Sequence, residues 1–282
     1  MMASSNNYLI PLVLGYFKDR WVFGKEAKRL AVVGEDCTET DLYGKAKRRE
    51  KVSLAGKTYD AVWLLAKYIS LTLQDFENIQ YLTFTTPETD VDMAKMLKWI
   101  GQHIGVDKEI INVQDYKESF CQYMIFQPKE LWQYESALFY CDEDRIKAYM
   151  LRRLRVDASH GMNSFVTVDE VANAQRKELE ALYPIMNKEK SPDESFKSMI
   201  ENVFEKKVIS SVYLTGEGFE KNWYPNSLRV LCNGRRAFMG NNLYSKGACY
   251  KSIRKCEPND DGPIYLDETK LTERICPRMR VD

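Results

Sequence analysis

Four short stretches hold residue types whose spacing could do chemistry. Gly216-Glu217-Gly218-Phe219 sets two glycines one residue apart, directly after the apolar, β-branched run Val208–Leu214. Such a turn bends sharply and leaves room for a flat ligand or a phosphate against the backbone. Asp142-Glu143-Asp144 places three carboxylates between two strand-like runs, where they repel a polyphosphate unless a metal bridges them. Asp115 and Glu118 open a helical run, where first-turn acids stabilise a helix N-terminus. Ser245-Lys246-Gly247-Ala248-Cys249 puts small residues into a helix-like segment, the pattern of a helix that packs very closely on a sheet.

Composition narrows what surrounds these residues. The 282-residue chain has 41 basic and 41 acidic residues, so overall charge gives no reason to expect nucleic acid or membrane binding. Lys45, Lys47, Arg48, Arg49 and Lys51 cluster without interleaved aromatic residues, which reads as a solvated face. With only His103 and His160, a histidine-based metal site is not expected, and no metal ligand set is proposed. Seven cysteines without a CxxC pair suit a reducing compartment. Tyr8–Phe17 is too short to span a bilayer and lacks signal-peptide layout. The expectation is a cytoplasmic, soluble protein.

An α/β pattern positions the candidate residues. Tyr8–Phe17 and Trp21–Phe23 flank Lys18-Asp19-Arg20 as a hairpin. Asp60 caps a helix with an apolar stripe through Val62, Leu65, Ile69 and Leu73. Tyr81–Thr85 reads as a strand and Asp90–Ile104 as an amphipathic helix closed by Gly105. Ile110–Val113 is a short strand, and Asp115–Phe126 the next helix. Ala137–Cys141 and Arg145–Leu154 form a second hairpin, followed by a strand at Phe165–Val168. Glu170–Tyr183 and Pro192–Lys206 read as helices, and Ser227–Leu231 as a helical patch. Residues 34–59 are weakly patterned, and Ile264–Leu266 is a candidate strand in a loop-rich tail.

The order of strand, glycine turn, helix and small-residue helix resembles the actin, heat-shock-chaperone and sugar-kinase ATPase superfamily. Ile10-Pro11 and Phe23-Gly24-Lys25-Glu26-Ala27 match the chaperone passage from strand to first helix. Gln127–Trp132 and Asn241–Tyr250 resemble a bacterial family of divergent actin-like proteins that has no established activity. The resemblance implies a two-lobed, actin-like (ribonuclease-H-like) α/β fold lacking its N-terminal hairpin. The first lobe would span residues 1–133 with an insertion at 34–59, the second 134–258, and a tail 259–282. It implies ATP or ADP with magnesium as the ligand, in a pocket lined by Gly216, Glu217, Gly218, Phe219, Ser245, Lys246 and Gly247. There Phe219 would stack on a purine, the alternative being a tight turn with Phe219 in the core. Asp115, and secondarily Glu118, would place a water or metal.

The phosphate loops depart from that superfamily. The first would precede Tyr8, where only seven residues stand, and the second carries Asp142, Glu143 and Asp144 in place of glycines. The expected function is therefore a degenerate module without ATP hydrolysis, acting as a scaffold or binding an unidentified protein partner. The alternatives are a nucleotide-dependent switch or filament former, and a sugar- or acetate-kinase-like phosphotransferase.

Overall fold

The computed structural model describes residues 9–33, 37–74, 76, 78–142, 145–154, 164–175, 191–220, 223–240, 242–257 and 262–267. The chain divides into two compact units, Met1–Gln114 and Asp115–Asp282.

In the first unit, β1 (Leu14–Phe17) and β2 (Arg20–Phe23) form an antiparallel hairpin with Leu14 opposite Phe23. Lys18 and Asp19 turn it with φ of 50° and 58°. Helix α1 (Gly24–Val33) follows, and β3 (Thr38–Glu39) pairs with the other side of β1. The weakly patterned stretch 34–59 holds α2 (Leu42–Lys47) and the hairpin β4 (Lys51–Leu54) and β5 (Lys57–Asp60). Ala55 and Gly56 supply the two positive φ angles that a tight two-residue hairpin demands.

Helix α3 (Ala61–Thr72) starts where the Asp60 carboxylate accepts the Val62 and Trp63 N–H groups at 2.8 and 3.1 Å. Strand β6 (Leu82–Thr86) precedes α4 (Val91–His103), capped by Asp90 on the Met93 N–H at 2.7 Å. Strand β7 (Ile111–Asp115) pairs with β6. The unit's core gathers Leu14, Leu54, Leu64, Leu65, Met96 and Ile100.

The second unit is a six-stranded mixed sheet. Strands β8 (Glu135–Cys141), β9 (Arg145–Leu154) and β10 (Phe165–Gln175) run antiparallel in sequence. Strand β11 (Ile209–Thr215) adds parallel to β8, and β12 (Arg236–Met239) parallel to β11. Strand β13 (Ile264–Tyr265) pairs with β10, giving the order β12-β11-β8-β9-β10-β13.

Side chains alternate across a strand, so the central strands feed two cores. Phe139, Ile146, Met150 and Leu214 meet Phe196 and Ile200 of α6 (Pro192–Phe204) and Leu231 of α7 (Pro225–Leu231). Leu138, Leu151 and Tyr213 meet Phe120 and Met124 of α5 (Tyr116–Ile125) and Tyr244 of α8 (Leu243–Cys256). Burial on both faces is why β8 and β11 read as continuous apolar runs.

Two expectations differ from the observed fold. The division falls after Gln114, not at 133/134, because Phe120, Cys121 and Met124 bury α5 against the second unit's sheet. The helix expected from Glu170 is instead strand as far as Gln175. The ten-residue β9 pairs residue by residue with Ala172–Gln175 beyond a bulge at Glu170/Ala172, and that ladder overrides local helix propensity. The remainder of that expected helix lies outside the described residues.

Candidate functional site

The structure brings two of the candidate stretches together at the carboxyl ends of β8 and β11. Gly216 has a φ of 101°, and a Cβ there would stand 2.1 Å from the Cys141 carbonyl oxygen. A Cβ on Gly218 would meet the Cys141 sulfur at 2.2 Å and the Asp142 carbonyl at 2.9 Å. The glycines thus let one strand end close onto its neighbour, and the space they leave is filled by protein. Asp142 is engaged within its own hairpin, its carboxylate accepting the Arg145 N–H at 2.7 Å. Glu143 and Asp144 lie outside the described residues.

Phe219 corrects the stacking expectation. Its side chain is 1% exposed, with ring centroids 5.5 Å from Phe196, 6.2 Å from Trp223 and 5.2 Å from Tyr224. The Trp223 indole donates to the Gly218 carbonyl at 2.7 Å, and the Tyr224 hydroxyl to that of Phe219 at 3.2 Å. No face of this ring is open to a purine. The loop is the tight turn of the alternative reading.

The other candidates also sit in packing roles. Asp115 caps α5 by accepting the Glu118 N–H at 2.7 Å, and burial pushes its carboxyl above the usual value. Glu118 is buried and ion-paired with Lys251 of α8. Gly247 faces the Ser119 backbone, while Ser245 and Lys246 are exposed. His103 ends α4 with its ring stacked on Trp99 at 4.8 Å, and His160 lies outside the described residues. Lys45 pairs with Glu39, and Arg48 with Asp41 and Glu50, so this part of the basic cluster is matched locally. Among the described residues no group of three or more His, Cys, Asp or Glu side chains could hold a metal. No described helix is long and apolar enough to cross a membrane.

A different feature stands open at the edge of the sheet. Strand β12 is paired with β11 on one side only among the described residues. Against it α7 forms a groove of about 430 Å³ lined by Leu214, Tyr224, Leu228, Ala237, Phe238 and Met239. Leu228, Phe238 and Met239 are 42%, 37% and 65% exposed. Tyr224 anchors the floor, its hydroxyl 3.5 Å from the Met239 sulfur, and Phe238 stacks on Tyr213 at 5.1 Å.

Arg229 follows Leu228 on α7, and Arg235 and Arg236 lead into β12. None of the three has an ion-pair partner among the described residues. The Arg235 guanidinium lies 4.6 Å over the Phe204 ring, and burial holds it below its usual pKa. Sequence reading missed this strand, although Asn233-Gly234 before Arg236-Ala237-Phe238-Met239 is a turn followed by a short apolar run.

The model of the family of unknown function DUF5716, C-terminal, matches residues 1–268, and the chain belongs to that family. No curated protein matches the chain. These findings correct the family terms carried by the resemblance. The matched family is one of unknown function, and nothing in it supports describing the chain as actin-like, chaperone-ATPase-like, a pseudo-ATPase or a nucleotide-binding fold.

Proposed function

We propose that this chain is a partner-binding module that docks another protein on the exposed groove between α7 and β12. The observation that carries the reading is the exposed apolar surface of Leu228 and Met239 in the groove, with exposed Phe238 on the other face of the same strand, beside an open strand edge. Exposed apolar surface beside an unpaired strand edge is a mark of interaction sites, since burying it releases ordered water. Phe238 and Met239 also sit on a rigid support, through Tyr213 and Tyr224. The second unit's sheet, an antiparallel three-strand meander continued by two parallel strands, supports a ribonuclease-H-like topology for the scaffold. Unpatterned cysteines support a cytoplasmic setting.

The test is the native size of the tagged chain extracted from its own cells, compared with Met239→Asp and with Asp92→Asn as a remote control. The reading expects a complex larger than the free chain for wild type and Asp92→Asn, and only the free chain for Met239→Asp. Identical elution of all three would overturn it.

A further inference from the structure

The groove also carries information about what it holds. Gly240 donates its N–H to the Leu214 carbonyl of β11 at 3.1 Å. Backbone groups alternate sides along a strand, so Phe238 faces β11 as well, and the N–H and C=O of Ala237 and Met239 point out of the sheet. Nothing among the described residues pairs with them. The edge therefore offers two donors and two acceptors in strand geometry, next to an apolar groove.

Charge selects among possible occupants. From Lys221 to Cys256 the sequence has eight basic residues and no Asp or Glu. Lys251 is matched by Glu118 of α5, whereas Arg229 on α7 and Arg236 on β12 are exposed, Arg236 on the face of the sheet opposite the groove. Asp193, the carboxylate nearest α7 in the hydrogen-bond pattern, is buried on the Asn226 and Ser227 N–H groups at 2.7 and 2.8 Å and does not screen the arginines at the surface. A second copy of this edge would bring three more arginines to the same surface, which like-charge repulsion disfavours.

We infer that the groove takes an extended segment of a partner protein, alternating apolar and acidic residues, which adds to the sheet as a strand beside β12. Its backbone pairs with Ala237 and Met239, one row of apolar side chains enters the groove beside Leu228, and its carboxylates, on the opposite face of the sheet, meet Arg236. This rests on the partner-binding reading and deepens it by naming the partner's chemistry.

The experiment is fluorescence anisotropy of the full chain with labelled peptides of about twelve residues, a length that spans a docked strand. One peptide alternates valine with glutamate, a second replaces every glutamate by lysine, and a third is the acidic peptide with alternate backbone nitrogens methylated. Binding of the acidic peptide is expected to exceed that of the other two by at least about tenfold and to weaken with salt. Ala237→Pro removes only an outward N–H, a substitution that an edge strand accommodates, and is expected to lower acidic-peptide affinity by a similar factor. Arg236→Glu is expected to narrow the preference for the acidic over the lysine peptide. Equal binding of the acidic and N-methylated peptides, or no preference for acid over lysine, overturns the inference. Because the methylated peptide is measured on the unaltered chain, the test does not depend on whether the proline variant folds. If the peptides fail while Met239→Asp still dissolves the native complex, the partner reading stands and this description of the partner falls.

Discussion

Gly247 of α8 lies directly against Ser119 of α5: a Cβ at position 247 would stand 1.9 Å from the Ser119 carbonyl oxygen and 2.6 Å from its carbonyl carbon. The backbones of the two helices touch there. One turn further along α8, Lys251 reaches the buried Glu118 carboxylate, and Arg254 donates to the Gln122 side chain at 3.0 Å. Small residues set the distance between the helices, and this short row of polar contacts sets their register.

Gly247→Ala is therefore expected to destabilise the chain, because the obstructing atoms are backbone and cannot swing aside. Overpacking of this kind costs about 1–3 kcal/mol. Denaturant unfolding checks it, with Ala248→Gly as the comparison, and a Gly247→Ala midpoint equal to wild type would contradict it.

The Glu118–Lys251 pair gives a second prediction. Removing one partner leaves a buried charge uncompensated, so Lys251→Met should cost about 3–5 kcal/mol. Combining it with Glu118→Leu should recover much of that loss. A double-mutant cycle measures the coupling, and strict additivity would show that the pair does not act as a unit.

Phe219→Ala should be as costly to folding as any large core truncation, about 3–5 kcal/mol. A ring that formed one wall of an open pocket would instead give a small loss. Thermal unfolding of the variant separates the two.

Asp193 supplies a pH dependence. Burial raises its pKa, but the Ser227 hydroxyl and the Asn226 and Ser227 N–H groups outweigh that and hold the carboxyl below its usual value. A carboxylate with a lowered folded-state pKa adds stability that is present above the unfolded value of about 3.9 and is lost as pH falls through the folded one. Asp193→Asn should lose about 1–3 kcal/mol near neutral pH, and the gap from wild type should narrow below about pH 4. A gap that stays constant down to low pH would contradict this role.

Much of the scaffold was legible because its signals are local. Asp60 announces its helix by side-chain capping and caps it as the sequence implied, and Asp90, read as the first residue of its helix, caps it. The β8–β9 hairpin and the β11 strand follow from apolar runs that must be buried on both faces. What escaped depends on contacts distant in sequence. Residues 170–175 carry no strand signal strong enough to stand alone, and β9 decides their state. The Gly216–Gly218 pair is ambiguous in one dimension, since a glycine that admits a ligand and one that admits a neighbouring strand look alike. Only the position of Cys141 resolves it. Strand β12 escaped because four residues give too short a pattern to register, although its exposed Phe238 and Met239 are what distinguish the surface.

The most direct measurement of the central claim is photo-cross-linking in the native cells, with the reactive residue placed at position 239 in the groove or at position 92 on α4. The account predicts one discrete adduct from position 239, absent from position 92 and lost when Phe238→Asp is added. No adduct from 239, or the same adducts from both positions, would contradict it.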